Sequence, residues 1–143
     1  MLPVTRWFIK AGMIYLTSGM LLLFIDSMPF IGLEIQLLPV YWHMIVIGWI
    51  TQIIMGVSIW MFPRKRRDRQ KRESFLTWSV FGLLNTGLIL RFISEPFSGN
   101  ETGFSAAQWI ILLSIFLQLA AAVLYVAEIW PRVQPKRKRK SKT

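Results

Sequence analysis

The sequence predicts an all-α integral membrane protein, with four transmembrane helices in an up-and-down bundle and both termini in the cytoplasm. Three observations predict it. Of the 143 residues, 54% are hydrophobic and only 17% are charged, too little polar surface to cover a soluble domain of this size. The charge is also segregated: 17 Lys and Arg stand against 7 acidic residues, for a net charge of +10, and most of the cations fall in two short blocks. Finally, four apolar runs reach the length of about 20 residues that a helix needs to cross a hydrocarbon core. Helices are the expected spanning structure, because alternation at period 2 is absent and each segment must satisfy its own backbone.

The first span covers residues 7–25. Gly12 and Gly19 lie seven apart on one face, with Tyr15 between them, which reads as a packing seam against another helix. No small-residue cleavage site follows this run, so it is expected to stay as a span rather than leave as a signal peptide. The second span covers 41–62, bracketed by Pro39 and Pro63 where a helix would start and stop. The third covers 75–93 and carries Asn85 and Thr86, expected as interhelical glue. The fourth covers 106–130. Its Ser114, Gln118, Ala121, Tyr125 and Glu128 follow a 4-3-4-3 spacing, a stripe read as interhelical hydrogen bonding in preference to a proton path. The transmembrane domain is thus 1–131, followed by a basic cytoplasmic tail, 132–143.

Orientation follows from the cations. The loop after the second span carries Arg64, Lys65, Arg66, Arg67, Arg69, Lys71 and Arg72, and the tail carries seven more from Arg132 to Lys142. The other two loops have no Lys or Arg. The positive-inside rule then puts the N-terminus, the middle loop and the tail on the cytoplasmic side of the inner membrane. "PKRKRK" in the tail looks like a nuclear-localisation signal, but among so many spans it reads as a topology anchor touching anionic lipid. The lipid bilayer is the expected partner, and nucleic acid is not. The absence of cysteine excludes disulfides, thiolate metal sites and Cys-attached heme. No paired carboxylates, nucleophile motif, phosphate-binding loop or clustered metal ligands appear. A small transporter is disfavoured because neither a broken helix nor a polar mid-membrane cluster is visible.

Two residues remain that a lipid-facing helix does not need. His43, the one histidine of the chain, falls within about one turn of the outer surface. Arg91, near the outer end of the third span, falls at almost the same depth. An arginine in an apolar run costs about 2.5–3.5 kcal/mol at mid-membrane and less near the end. Gly87 lies one turn below Arg91 on the same face. A flat ligand could press on Gly87 while a carboxylate reaches the guanidinium. A heme has this shape, with an iron that takes imidazole and propionates that prefer the aqueous edge. His43 would then be the metal ligand and Arg91 the propionate partner, with help from Trp42. The alternatives are plain: His43 as an interfacial polar residue beside Tyr41 and Trp42, and Arg91 paired with Glu95 four residues on. On the second helix, a turn of about 100° per residue puts Val46, Ile47, Ile50, Ile54 and Met61 on the side of His43. Gly48, Gln52, Met55 and Gly56 fall opposite, where they would pack within the bundle.

The stretch "HMIVIGWITQIIMGVSIWMFPR", residues 43–64, resembles the second transmembrane helix of heme-copper oxidase subunit I, and "GLILRFISEP", residues 87–96, resembles the helix that follows in smaller subunit-I-like proteins. In that family the histidine of the second helix ligates the low-spin heme, and twelve helices form three four-helix arcs. The resemblance implies a single-arc relative that binds heme b through His43 and assembles as a homo-oligomer. A trimer is favoured; a dimer gripping one heme between two His43 side chains is the alternative. It further implies electron transfer, with a redox partner left open, or binding of a diatomic gas. A complete oxidase is not expected, since that family's copper takes three histidines and this chain has one. The rival reading is a cofactor-free membrane subunit that scaffolds or assembles a respiratory complex.

Overall fold

Each of the four apolar runs folds as a helix in the computed structural model, which describes residues 3–28, 37–62, 73–97 and 106–133. Helix α1 spans Pro3–Asp26, α2 Leu38–Met61, α3 Glu73–Ser94 and α4 Ala106–Ile129. Short 3₁₀ turns, Glu95–Phe97 and Trp130–Arg132, continue α3 and α4. Pro39 stands in the first turn of α2, where its missing N–H breaks no hydrogen bond. Phe62, at φ −105° and ψ 78°, leaves the helix, as the residue before a proline tends to. Pro63 itself, the seven cations of the middle loop and the "PKRKRK" run lie outside the described residues. Arg132, assigned by its charge to the tail, is instead tied into the bundle by Glu128 and by the carbonyl of Phe62.

All four helices are long and apolar enough to cross a membrane, and the chain is built as a multi-pass membrane protein. Six of its seven tryptophans fall into two girdles, and Trp49 lies midway along α2. Trp7, Trp60, Trp78 and Trp130 are exposed at one end of the bundle, and Trp42 and Trp109 at the other. Along α2, Trp42 and Trp60 stand at most about 27 Å apart at the α-helical rise of 1.5 Å per residue, near a hydrocarbon thickness of about 30 Å. Tryptophan favours both membrane–water interfaces, and the two girdles fit that preference.

Lipid tails are as apolar as leucine, so helices in a bilayer associate through close approach and hydrogen bonds rather than by escaping water. The contacts follow that rule. On α1, a Cβ added at Gly12 would lie 3.1 Å from Ile53, and one at Gly19 would lie 3.2 Å from Ile45 and Met44. The expected seam is therefore the line along which α1 meets α2, antiparallel. Helices α3 and α4 form the second antiparallel pair, with Gly87 against Ser114 and Gln118. The polar stripe of α4 faces inward: Ser114, Ala121 and Glu128 are buried, and Tyr125 shares a hydrogen bond of 2.6 Å with Ser58 of α2. An apolar core of Val4, Phe8, Met55, Ile59, Val80, Leu84 and Ala121 fills the half of the bundle where α1 begins and α4 ends.

Helix α2 departs from the expected geometry. Between α-helical Leu38–His43 and Gln52–Met61 lies a π-helical stretch, Met44–Thr51. There the hydrogen bonds reach five residues instead of four, and each residue turns the chain less. The Thr51 hydroxyl follows the same register, donating to the Val46 carbonyl at 2.9 Å. The wider turn rotates the top of the helix relative to the rest. Val46, Ile50, Ile54 and Met61 are exposed, and Gly48, Gln52, Met55 and Gly56 are buried, both as expected. Ile47 packs against the apolar core, and His43 turns toward α3 instead of sharing the exposed side.

Candidate functional site

His43 lies one residue inside the Trp42 girdle. Its ring is held at one nitrogen. Nδ1 is 2.7 Å from the Pro39 carbonyl and 3.1 Å from Glu95 Oε1. Both neighbours are acceptors, so Nδ1 carries the proton and donates. In the neutral imidazole this leaves the Nε2 lone pair open, and Nε2 has no hydrogen-bond partner among the described residues. The His43 side chain is 26% exposed.

Glu95 joins two helices. It belongs to the 3₁₀ turn that extends α3, its side chain is 6% exposed, and Arg91 Nε donates to the same Oε1 at 2.5 Å. One carboxylate oxygen therefore receives both the imidazole of α2 and the guanidinium of α3. The i, i+4 spacing brings Arg91 and Glu95 together on one helix face; the rotation of α2 brings His43 to them. His43 and Arg91 do meet at one depth, as expected, but through Glu95. The sequence marks Glu95 only as a partner for Arg91, four residues on. Its contact with His43 depends on how two helices are turned, and a local pattern does not carry that.

The other expected site residues are placed differently. Gly87 faces α4: an added Cβ would lie 2.9 Å from Gln118 Cγ and 3.0 Å from the Ser114 carbonyl, and Ser114 donates to the Gly87 carbonyl at 2.8 Å. The glycine serves a helix–helix contact, and the space reserved for a flat ligand is filled by Gln118. Trp42 is largely exposed, in keeping with its girdle. At the opposite end, Glu128 pairs with Arg132, both side chains nearly buried, and Arg132 Nη1 donates to the Phe62 carbonyl at 3.2 Å. This pair joins the ends of α2 and α4.

A further polar group corrects the expectation that none lies at mid-membrane. Tyr15, Gln52 and Asn85, each near the midpoint of its helix, converge on Asn85 Oδ1, which accepts from the Tyr15 hydroxyl at 3.0 Å and from Gln52 Nε2 at 2.9 Å. Among the described residues no group of three or more His, Cys, Asp or Glu could hold a metal ion. Set against protein-family models, curated proteins and solved structures, the chain matches none of them.

Proposed function

We propose that this chain is a membrane heme b-binding protein, a single-arc relative of heme-copper oxidase subunit I that transfers electrons or binds a diatomic gas. The observation that carries the reading is the tethering of His43. Histidines that ligate metals characteristically donate their other ring nitrogen to a carboxylate or a backbone carbonyl, which fixes tautomer and orientation. His43 has both acceptors at Nδ1, 2.7 and 3.1 Å away, and an open Nε2. That donor set fits an imidazole whose Nε2 would hold the heme iron. Arg91 uses Nε on Glu95, and its terminal nitrogens would hold a propionate. Gly87 drops out of the site, since Gln118 covers it.

When bound, the heme supplies a one-electron couple or an open coordination position. The protein's share is to hold the imidazole rigid through Glu95 and the Pro39 carbonyl, and to keep the site beside the Trp42 girdle. The same reading takes both termini as cytoplasmic, the membrane as the inner membrane, and the assembly as a homo-oligomer, a trimer by the arithmetic of the arcs. A second reading, a cofactor-free scaffold or assembly subunit of a respiratory complex, is favoured by one observation: Arg91, Glu95 and His43 already neutralise and orient one another. Replacing His43 with Ala separates the two. Under the heme reading the purified variant loses its pigment and still inserts in the membrane. Under the scaffold reading the wild type is already colourless.

A further inference from the structure

The middle of the bundle holds polar side chains to which the heme reading gives no role. Tyr15 of α1, Gln52 of α2 and Asn85 of α3 meet at Asn85 Oδ1, which takes a hydrogen bond from each of the other two. Asn85 Nδ2 donates in turn to the Phe81 carbonyl at 2.8 Å. Gln52 is completely buried, and its Oε1 has no hydrogen-bond partner among the described residues. An amide oxygen stranded in apolar surroundings is strongly disfavoured, most of all at the centre of a bilayer where no bulk water can reach it.

The described residues offer no remedy. Turning the Gln52 amide over would set Oε1 against Asn85 Oδ1, acceptor to acceptor, and strand the amide N–H instead. A metal cation does not suit the cluster either, because Asn85 Oδ1 is already occupied by two donors and none of the three residues carries charge. What Oε1 lacks is a hydrogen-bond donor, and one small enough to fit beside a packed side chain. Water has two donor hydrogens, and it persists inside proteins where two to four polar partners surround it.

The three side chains carry the partners that such a water needs. Gln52 Oε1 accepts one hydrogen. The Tyr15 hydroxyl, whose proton goes to Asn85, has a lone pair for the other, and the second N–H of Asn85 Nδ2 can donate to the water oxygen. Local structure holds them there. Gly48 lets the Tyr15 ring lie directly on α2, since an added Cβ would come within 2.7 Å of Tyr15 Cγ. The π-helical stretch ends at Thr51, the residue before Gln52, and π turns inside helices recur at functional sites.

We propose that Tyr15, Gln52 and Asn85 bind one water molecule at the centre of the membrane-spanning bundle, a ligand that ties together α1, α2 and α3. This site is independent of heme binding. It is tested by water-edited solid-state NMR on the full chain in lipid bilayers, with no ligand added. Magnetisation from water reaches Gln52 Cδ and Tyr15 Cζ several times faster than it reaches Ile59, buried in the neighbouring apolar core. In Gln52→Met the fast transfer to Tyr15 Cζ disappears. Transfer to either carbon of the wild type no faster than to Ile59 overturns the proposal, as does fast transfer to Tyr15 that survives Gln52→Met. The wild-type spectrum decides even if that variant fails to fold.

Discussion

At the scale of single residues, the site depends on one carboxylate. Glu95 Oε1 accepts from His43 and from Arg91, so truncating it strands a guanidinium in a poorly solvated place and frees the imidazole. Glu95→Ala is expected to lower stability by up to about 3 kcal/mol, the low end for a broken buried pair because Arg91 keeps some exposure. Denaturant unfolding in detergent measures it. Two glycines offer an internal comparison. An added methyl at Gly48 would press on Tyr15 at 2.7–2.8 Å, whereas at Gly82 nothing lies within 4 Å. Gly48→Ala is therefore expected to cost about 1–3 kcal/mol through overpacking, and Gly82→Ala to add about 0.5–1 kcal/mol through helix propensity. The same unfolding experiment reads both. The pairing of Arg91 with Glu95 is legible in the sequence, because i, i+4 neighbours on a helix meet whatever the tertiary fold. The His43 contact is not.

At the scale of elements, the four spans are legible because length and apolarity in a bilayer leave the backbone little choice but helix. The glycine seam of α1 and the stripe of α4 are legible for a related reason: both follow the helical period, and both are what a bilayer-spanning helix needs in order to touch its neighbours. The π stretch Met44–Thr51 leaves no comparable mark. "MIVIGWIT" is as apolar as any run in the chain, and its five-residue hydrogen bonds answer to packing rather than composition. A constant 100° turn therefore misplaces His43 and Ile47. The convergence of Tyr15, Gln52 and Asn85 is hidden likewise, since the three stand on different spans and meet only when the helices pack. The register of α1 against α2 is open to direct test. A Cβ at Gly19 stands 3.2 Å from that of Met44, near the spacing of about 3.5–4.5 Å of a disulfide. The chain has no cysteine of its own, so Gly19→Cys with Met44→Cys should cross-link on mild oxidation. A mobility shift reversed by reductant checks it.

At the scale of the whole molecule, two antiparallel pairs make a bundle with Trp girdles at both ends. An apolar core fills one half, and the His43–Glu95–Arg91 cluster closes the other. The asymmetry of charge along the chain, not the fold, predicts which end faces the cytoplasm. Single cysteines at Asn100 and Ser141 would test it: a membrane-impermeant thiol reagent applied to intact cells is expected to label Asn100→Cys and to spare Ser141→Cys until the membrane is opened. The reverse pattern would invert the bundle and put His43 at the cytoplasmic face.

Absorption spectroscopy tests the proposal that the tethered His43 ligates a heme. The protein would be purified in detergent from heme-replete cells and its spectrum recorded oxidised and dithionite-reduced, with heme quantified against protein. Heme ligation by His43 gives a Soret band and sharp reduced bands that vanish in His43→Ala. One heme per chain would indicate a private site, and one per two chains a heme shared between two His43 side chains. A colourless wild type, or pigment undiminished in His43→Ala, would contradict it.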